Sequence, residues 1–216
     1  MLTLYSHPFS SYCQKVLIAL WENDIDFRYR NLEEEGAGEE MGALWPIGKF
    51  PVLVDDARTI VESSIIIEYL DTVHRGPVRL IPDDPAAALE VRFMDRFFDN
   101  YVMTEMQKPV SEALREEGAR KDIALAEAAP ALDKAYAWLE ARLAGRTWAA
   151  GEAFSMADCA AAPSLFYADW VRRIGDQFPN VRAYRTRLLQ HPSVARAVEE
   201  GRPYRSYFPL GAPDRD

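Results

Sequence analysis

Cysteine and histidine are scarce in this sequence. Its 216 residues include two cysteines, Cys13 and Cys159, and three histidines, His7, His74 and His191. Two cysteines so far apart do not form the dense disulfide framework of a small secreted domain, so we expect a reducing, cytoplasmic setting. No pair of histidines has the spacing of metal ligands, and no metal site is predicted.

Long apolar runs and excess positive charge are also absent. No stretch approaches the ~20 apolar residues of a membrane span, and the first residues lack the pattern of a signal peptide. We therefore expect neither membrane insertion nor secretion. The net charge is −9, and the longest run of charge is acidic, at residues 33–35. That run predicts a solvated loop, and nucleic acid is not an expected partner.

What is present indicates a globular chain with two parts. Hydrophobic residues make up 49% and charged residues 27% of the sequence, which is ordinary for globular proteins. Strand-like runs at 2–5, 27–30, 52–54 and 59–61 mix with helical patterns over residues 1–76. Residues 77–85 contain three prolines and are predicted to be a linker. From residue 86 to 216 the periodicity predicts helices only.

The turn between the first strand and the first helix has the features of an anion site. Ser10 and Ser11 stand where the helix begins, and N–H groups without helical partners favour negative charge there. Cys13 invites interpretation as a reactive thiol. It shares one helical face with Val16 and Leu17, however, so we expect a buried core cysteine.

Two further junctions could bind a peptide-like ligand. The Phe50-Pro51 bond precedes a strand; a cis form would turn the backbone of Phe50 outward for pairing with an extended peptide, whereas a trans edge proline is the ordinary alternative. Ser63 either caps the next helix or, together with the N–H groups there, binds a carboxylate. Glu62 beside it could pair with an ammonium group.

A capping box is predicted near the start of a late helix. Ser155 can accept a hydrogen bond from the N–H of Asp158, and Asp158 can accept one from the N–H of Ser155. We interpret both residues as structural.

Four motifs in order resemble one family. They are Ser10-Ser11-Tyr12-Cys13, Gly48-Lys49-Phe50-Pro51-Val52-Leu53, Glu62-Ser63-Ser64-Ile65-Ile66-Ile67-Glu68-Tyr69-Leu70, and Ser155-Met156-Ala157-Asp158. Together they resemble the cytosolic glutathione transferases, and among them the serine-type theta- and zeta-like classes. The resemblance implies a thioredoxin-like α/β domain with a mixed four-stranded sheet at 1–76 and an all-helical domain at 86–216.

The resemblance also implies the reaction and its residues. Glutathione would be the co-substrate, its thiolate stabilised by the Ser10 hydroxyl, with Ser11 as a second donor or a helix cap. Attack would fall on a partly apolar electrophile, with no metal involved. The implied glutathione contacts are Lys49, Phe50, Pro51, Glu62 and Ser63, and the implied electrophile-site residues are His7, Phe9, Tyr101, Met103, Tyr167 and Trp170.

Alternatives remain within the same fold. One is a glutathione-binding or regulatory protein with little turnover, because several relatives in the family it resembles lost activity while keeping the fold. A glutathione-dependent isomerase of the maleylacetoacetate type is weaker, because Tyr12 replaces the cysteine expected in its motif. The fold also implies a homodimer, for which the region around Asp95, Phe98 and Asp99 is a possible contact.

Overall fold

The N-terminal part is built on a mixed four-stranded sheet. A computed structural model describes residues 1–115 and 120–216. The strands run in the order β2-β1-β3-β4, with β2 parallel to β1, and β3 antiparallel to both β1 and β4. Their bounds are β1 Leu2–Ser6, β2 Arg28–Asn31, β3 Val52–Asp55 and β4 Arg58–Val61. The thioredoxin-like architecture implied by the resemblance is therefore confirmed.

Three helices accompany this sheet. They are α1 (Ser11–Glu22), α2 (Ala37–Leu44) and α3 (Ser63–Val73). The apolar face of α1 is buried against the core, and Cys13 is buried with it, as its spacing predicted. The short helix α2 lies in a stretch where no element was predicted.

Every element that the structure describes beyond residue 84 is helical. The helices are α4 (Pro85–Phe97), a π-helical segment (Phe98–Met103), α5 (Thr104–Ala113), α6 (Lys121–Arg142), α7 (Met156–Val171), α8 (Pro179–Gln190), α9 (Pro192–Gly201) and a 3-10 segment (Arg202–Tyr207). Helix α7 is buried along most of its length and packs against α1 and α4. It is therefore the common core of the two parts of the chain.

A buried carboxylate fixes the start of α7. Asp158 accepts hydrogen bonds from the N–H and the hydroxyl of Ser155, each at 2.9 Å, from the N–H of Ala149 and from the hydroxyl of Tyr184. The structure thus contains a capping box at this helix start. Burial raises the pKa of Asp158, while these donors oppose that rise.

Between α3 and α4 the structure describes no helix or strand. The division at residues 1–76, 77–85 and 86–216 stays a prediction, and residues 116–119 of the helical part lie outside the described residues. None of the helices in the described part of the chain combines the length and apolar character needed to cross a membrane.

The predicted dimer contact around Asp95, Phe98 and Asp99 is wrong as an exposed face. All three residues are buried within the chain. The cause is Lys15 of α1, whose ammonium group pairs with both carboxylates. Helical spacing indicates that these residues share a face, but it does not show that a lysine distant in sequence pairs with that face and that the face is therefore buried.

Candidate active site

Ser10 caps helix α1 at the end of the turn that follows β1. Its backbone is extended (φ −81°, ψ 125°), and its hydroxyl oxygen accepts a hydrogen bond from the N–H of Cys13 at 3.4 Å. The N–H of Ser10 donates to the carbonyl of His7 at 3.0 Å. Because the hydroxyl accepts from the helix, its hydrogen can still be donated to a ligand. The residue lines an apolar cavity.

Ser11 and Cys13 are placed differently. Ser11 is buried in the first turn of α1, and its hydroxyl accepts from the side-chain amide of Gln107 at 3.4 Å. The sulfur of Cys13 accepts from the N–H of His7 at 3.4 Å, and burial raises the pKa of this thiol. A buried thiol with a raised pKa is a poor nucleophile, which agrees with the interpretation of Cys13 as a core residue.

A polar cavity of about 700 Å³ is lined mainly by the segment before β3, the first turns of α3 and helix α4. The Phe50–Pro51 peptide bond at its edge is cis. The N–H and C=O of Phe50 make no hydrogen bond with any described residue, so both can pair with a bound peptide. The structure brings all five predicted glutathione contacts to this cavity: Lys49, Phe50, Pro51, Glu62 and Ser63.

The junction between β4 and α3 is strained. Glu62 has φ 70° and ψ 118°, a conformation that costs on the order of 1–3 kcal/mol for a residue with a side chain. It precedes Ser63, the buried first residue of α3. Glu62 occupies the N-cap position of α3, but its side chain makes no hydrogen bond to the N–H groups at the start of this helix. Strain of this kind is typical of ligand-binding sites.

Sequence reasoning missed the contribution of α4 to the polar cavity. Arg96 donates to the carboxylates of Asp95 and Asp99 and to the hydroxyl of Ser64, yet its side chain stays 51% exposed. It lines the cavity, so it places a positive charge beside the α3 junction. The spacing of Arg96 and Asp99 could have indicated an ion pair on one helix, but not its meeting with α3.

Tyr12 also lines the polar cavity. Burial raises its pKa to about 12, so its hydroxyl keeps its proton at neutral pH. From the sequence, Tyr12 had no predicted role in the site and was noted only as a departure from the isomerase motif.

The second cavity, of about 600 Å³, is mostly apolar. Among the predicted electrophile-site residues it brings together His7, Phe9 and Tyr167. The hydroxyl of Tyr167 donates to the carbonyl of Phe9 at 2.9 Å, so this wall is tied to the turn that carries Ser10. Further apolar walls come from Met106, Val110 and Leu114 of helix α5 and its end, and from Tyr207, Phe208 and Pro209.

The structure does not bring Tyr101, Met103 or Trp170 to that cavity. Tyr101 is exposed on the outer face and packs against Phe97, while Met103 is buried in the core. Trp170 lies behind Phe9, with ring centres 6.3 Å apart. Residues 207–209 line the cavity instead. No periodic pattern in the sequence indicated that they return to the turn at His7.

The two cavities meet at Phe50 and Gln107, which line both. A peptide held along Phe50 in the polar cavity could therefore direct a side chain toward Ser10 at the head of the apolar cavity. The arrangement can hold a charged, peptide-like molecule on one side and an apolar molecule on the other.

Comparisons with known proteins agree with this geometry. Residues 4–78 match the glutathione S-transferase N-terminal domain, and residues 93–192 match the C-terminal domain. The chain belongs to the glutathione S-transferase family. Glutathione S-transferase GstB of Escherichia coli is 29% identical over 211 residues, covering 92% of this chain and 98% of that protein.

Solved structures extend the likeness. A glutathione S-transferase of Methylobacillus flagellatus with glutathione bound has a TM-score of 0.78 at 27% identity, and the match covers 91% of this chain and 98% of that one. FtsZ-localized protein A of Caulobacter vibrioides is 30% identical over 177 residues, or 78% of this chain and 77% of that protein. The two matched domains, GstB and the structure with glutathione bound identify the chain as a glutathione transferase, and glutathione is its thiol substrate.

Proposed function

We propose that this transferase activates glutathione through the Ser10 hydroxyl and conjugates it to partly apolar electrophiles. A free thiol has a pKa of about 8.5, so only a few per cent is ionised at neutral pH. Lowering that pKa by about two units takes roughly 2.7 kcal/mol of preferential thiolate stabilisation. A hydroxyl donating to a charged acceptor, about 1.5–3 kcal/mol, and the start of α1, about 0.3–1 kcal/mol, can together reach that amount.

The meeting of the two cavities is the observation that supports this proposal most strongly. With the γ-glutamyl end at the α3 junction and the cysteinyl backbone along Phe50, the thiol would point toward Ser10. The glycyl carboxylate would lie near Lys49. The thiolate sulfur then forms a bond to the electrophilic carbon. In a substitution the leaving group departs with its bonding electrons, and in an addition the π electrons move to the neighbouring atom, which takes a proton from water. The serine is a hydrogen-bond donor throughout and forms no covalent bond.

Glu62 is proposed to bind the γ-glutamyl ammonium group, while Ser63 and Arg96 are close enough to the junction to serve the carboxylate. Replacing Glu62 with glutamine should therefore raise the Kd for glutathione about tenfold, as expected for loss of a charge-assisted contact of roughly 1.5 kcal/mol. Isothermal titration calorimetry measures this constant.

A ligand change supplies the control for Glu62. Glutaryl-cysteinyl-glycine lacks the ammonium group but keeps the rest of glutathione. It should bind the wild-type chain and Glu62→Gln with equal affinity, because the contact is already missing. A similar loss for both ligands would mean that Glu62 acts on the shape of the junction and not on the ammonium.

We also propose a homodimer through an exposed aromatic stripe. Leu89, Phe93 and Tyr101 are exposed along α4 and the π-helical segment, and Trp138 of α6 stacks on Phe97 within the same patch, with ring centres 4.2 Å apart. Contiguous apolar surface of this kind marks association sites. Light scattering should give twice the mass of one chain for the wild type and one chain mass for Phe93→Asp; a monomeric wild type would contradict the proposal.

A second candidate function is glutathione-dependent regulation with little turnover. The observation in its favour is the 30% identity to FtsZ-localized protein A, a relative named for its location and not for a transferase activity. Turnover distinguishes the two functions. A chain that binds glutathione but neither lowers its thiol pKa nor conjugates reactive electrophiles would act as a binding protein.

A further inference from the structure

One carboxylate lies in the wall of the second, mostly apolar cavity. Glu33 follows β2, and its side chain is 45% exposed. Among the described residues that line this cavity, Glu33 and His7 are the only ones whose side chains can carry a charge near neutral pH. The cavity therefore has a fixed negative charge if His7 is neutral.

The hydrogen-bond geometry of His7 fits the neutral ring with its hydrogen on Nε2. Its Nδ1 accepts the N–H of Phe9 at 3.1 Å, so that nitrogen carries no proton. The other ring nitrogen, Nε2, then carries the hydrogen and donates it to Glu33 at 3.2 Å. The Tyr207 hydroxyl donates to the second oxygen of Glu33 at 3.4 Å. Glu33 is thus held in place by two neutral donors.

Glu33 differs from its two acidic neighbours, which the sequence grouped with it as one solvated loop. Arg30 forms a salt bridge with Glu34 and donates to the backbone carbonyl of Glu35. Neither of these residues lines the apolar cavity. No lysine or arginine of the described chain forms a salt bridge with Glu33; its ionisable partner there is His7, which carries no charge in the tautomer that donates from Nε2.

We propose that Glu33 selects the electrophile by its charge. Partly apolar electrophiles that carry a positive group away from the reacting carbon are favoured over neutral ones, and anionic ones are disfavoured. The physical reason is that charges interact more strongly beside an apolar wall than in bulk water, and a second anion loses hydration there without gaining a partner. This inference rests on the proposed function, since it names the substrate class of the same cavity.

Three matched isothiocyanates test the proposal. They are benzyl isothiocyanate and its para-carboxylate and para-trimethylammoniomethyl derivatives, in which a methylene group insulates the reacting carbon from the substituent. In each, the thiolate sulfur bonds to the central carbon, the C=N π electrons move to nitrogen, and nitrogen takes a proton from water. The product is a dithiocarbamate, with no leaving group. Each enzymatic rate is divided by the uncatalysed rate with glutathione.

The wild-type chain should show kcat/KM about three- to tenfold higher for the cationic probe than for the neutral probe, and lower by a similar factor for the anionic probe. Glu33→Gln has nearly the same shape and should bring the three values together. Glu35→Gln removes the same charge from the same loop outside the cavity and should preserve the order. High salt should compress the wild-type differences.

The outcomes separate the two hypotheses. If the neutral probe is conjugated but the order of the three probes is the same in the wild type and in Glu33→Gln, selection by Glu33 is wrong and the proposed function stands. An order lost equally in Glu35→Gln would also overturn it, because long-range net charge would then be the cause. If no probe is conjugated, the proposed function and this inference fail together.

Discussion

Replacing Ser10 with glycine should slow conjugation of glutathione at neutral pH by about 10- to 100-fold, with little change in the Kd for glutathione. The hydroxyl is proposed to donate to the thiolate, and a hydrogen bond to a charged acceptor contributes about 1.5–3 kcal/mol. Its loss should return the thiol pKa of the bound glutathione toward its value in water. That pKa is measured from the ultraviolet absorbance of the thiolate, followed against pH with the protein saturated by glutathione and the absorbance of glutathione alone subtracted.

Glycine is chosen because Ser10 also caps α1. Its hydroxyl accepts the N–H of Cys13, and substituting an N-cap serine by alanine costs about 1 kcal/mol of stability, whereas glycine costs only a few tenths. Ser10→Thr keeps both the cap and the donor, and should retain most activity. Ser11→Ala should leave the thiol pKa low, because Ser11 is buried in the first turn of α1, whereas Ser10 is partly exposed at the cavity.

The opposite pattern would assign the donor to the other serine. If Ser11→Ala raises the thiol pKa while Ser10→Gly does not, Ser11 is the activating group and Ser10 is only a cap. If neither substitution changes the pKa, thiolate stabilisation comes from the start of α1 alone, and the serine mechanism is wrong.

Local signals explain which features the sequence could predict. The turn before α1, the junction before α3 and the start of α7 each depend on residues within a few positions of one another. Hydroxyl and carboxylate caps act over that same range. Two of these places hold Ser10 and Glu62 of the candidate site, and the third holds the structural cap Asp158, so all three could be predicted without knowing how the helices pack.

Long-range packing explains what was missed. Arg96 lines the polar cavity next to Ser64 of α3, with which it forms a hydrogen bond, and Tyr207 reaches the apolar cavity because the chain returns to the turn at His7. Neither relation has a sequence period. Lys15 is the clearest case: it lies among the apolar residues of α1, where a charge contradicts the pattern, and its partners are about 80 residues away.

Lys15 is the centre of a buried charge cluster between the two parts of the chain. Its side chain is 1% exposed, and its ammonium group lies 2.6 Å from Asp95 and 2.8 Å from Asp99. It also donates to Ser64 at 2.8 Å, which in turn donates to Asp95. Arg96 closes the cluster from the cavity side. Two positive and two negative groups thus balance, with α1, α3 and α4 held together.

Replacing Lys15 with methionine should lower the free energy of unfolding by about 3–5 kcal/mol. Methionine fills similar space, but Asp95 and Asp99 would then share one arginine in a buried setting. Removing one partner of a buried ion pair leaves an uncompensated charge, and this is more costly than losing the pair as a whole. Urea unfolding followed by tryptophan fluorescence measures the change, provided that the slope of the transition is unchanged.

A second substitution and a pH series test the cause. Lys15→Met combined with Asp99→Asn restores charge balance with Arg96 and should recover at least half of the lost stability. Burial already raises the pKa of Asp99, and Lys15 opposes that rise. Without Lys15 the pKa should climb further, so the folded chain holds a proton that the unfolded chain releases. Stability of Lys15→Met should then fall as pH rises through that pKa, which makes its deficit larger at pH 8 than at pH 5. A deficit that is independent of pH and persists in the double variant would show that Lys15 acts by packing and not by charge.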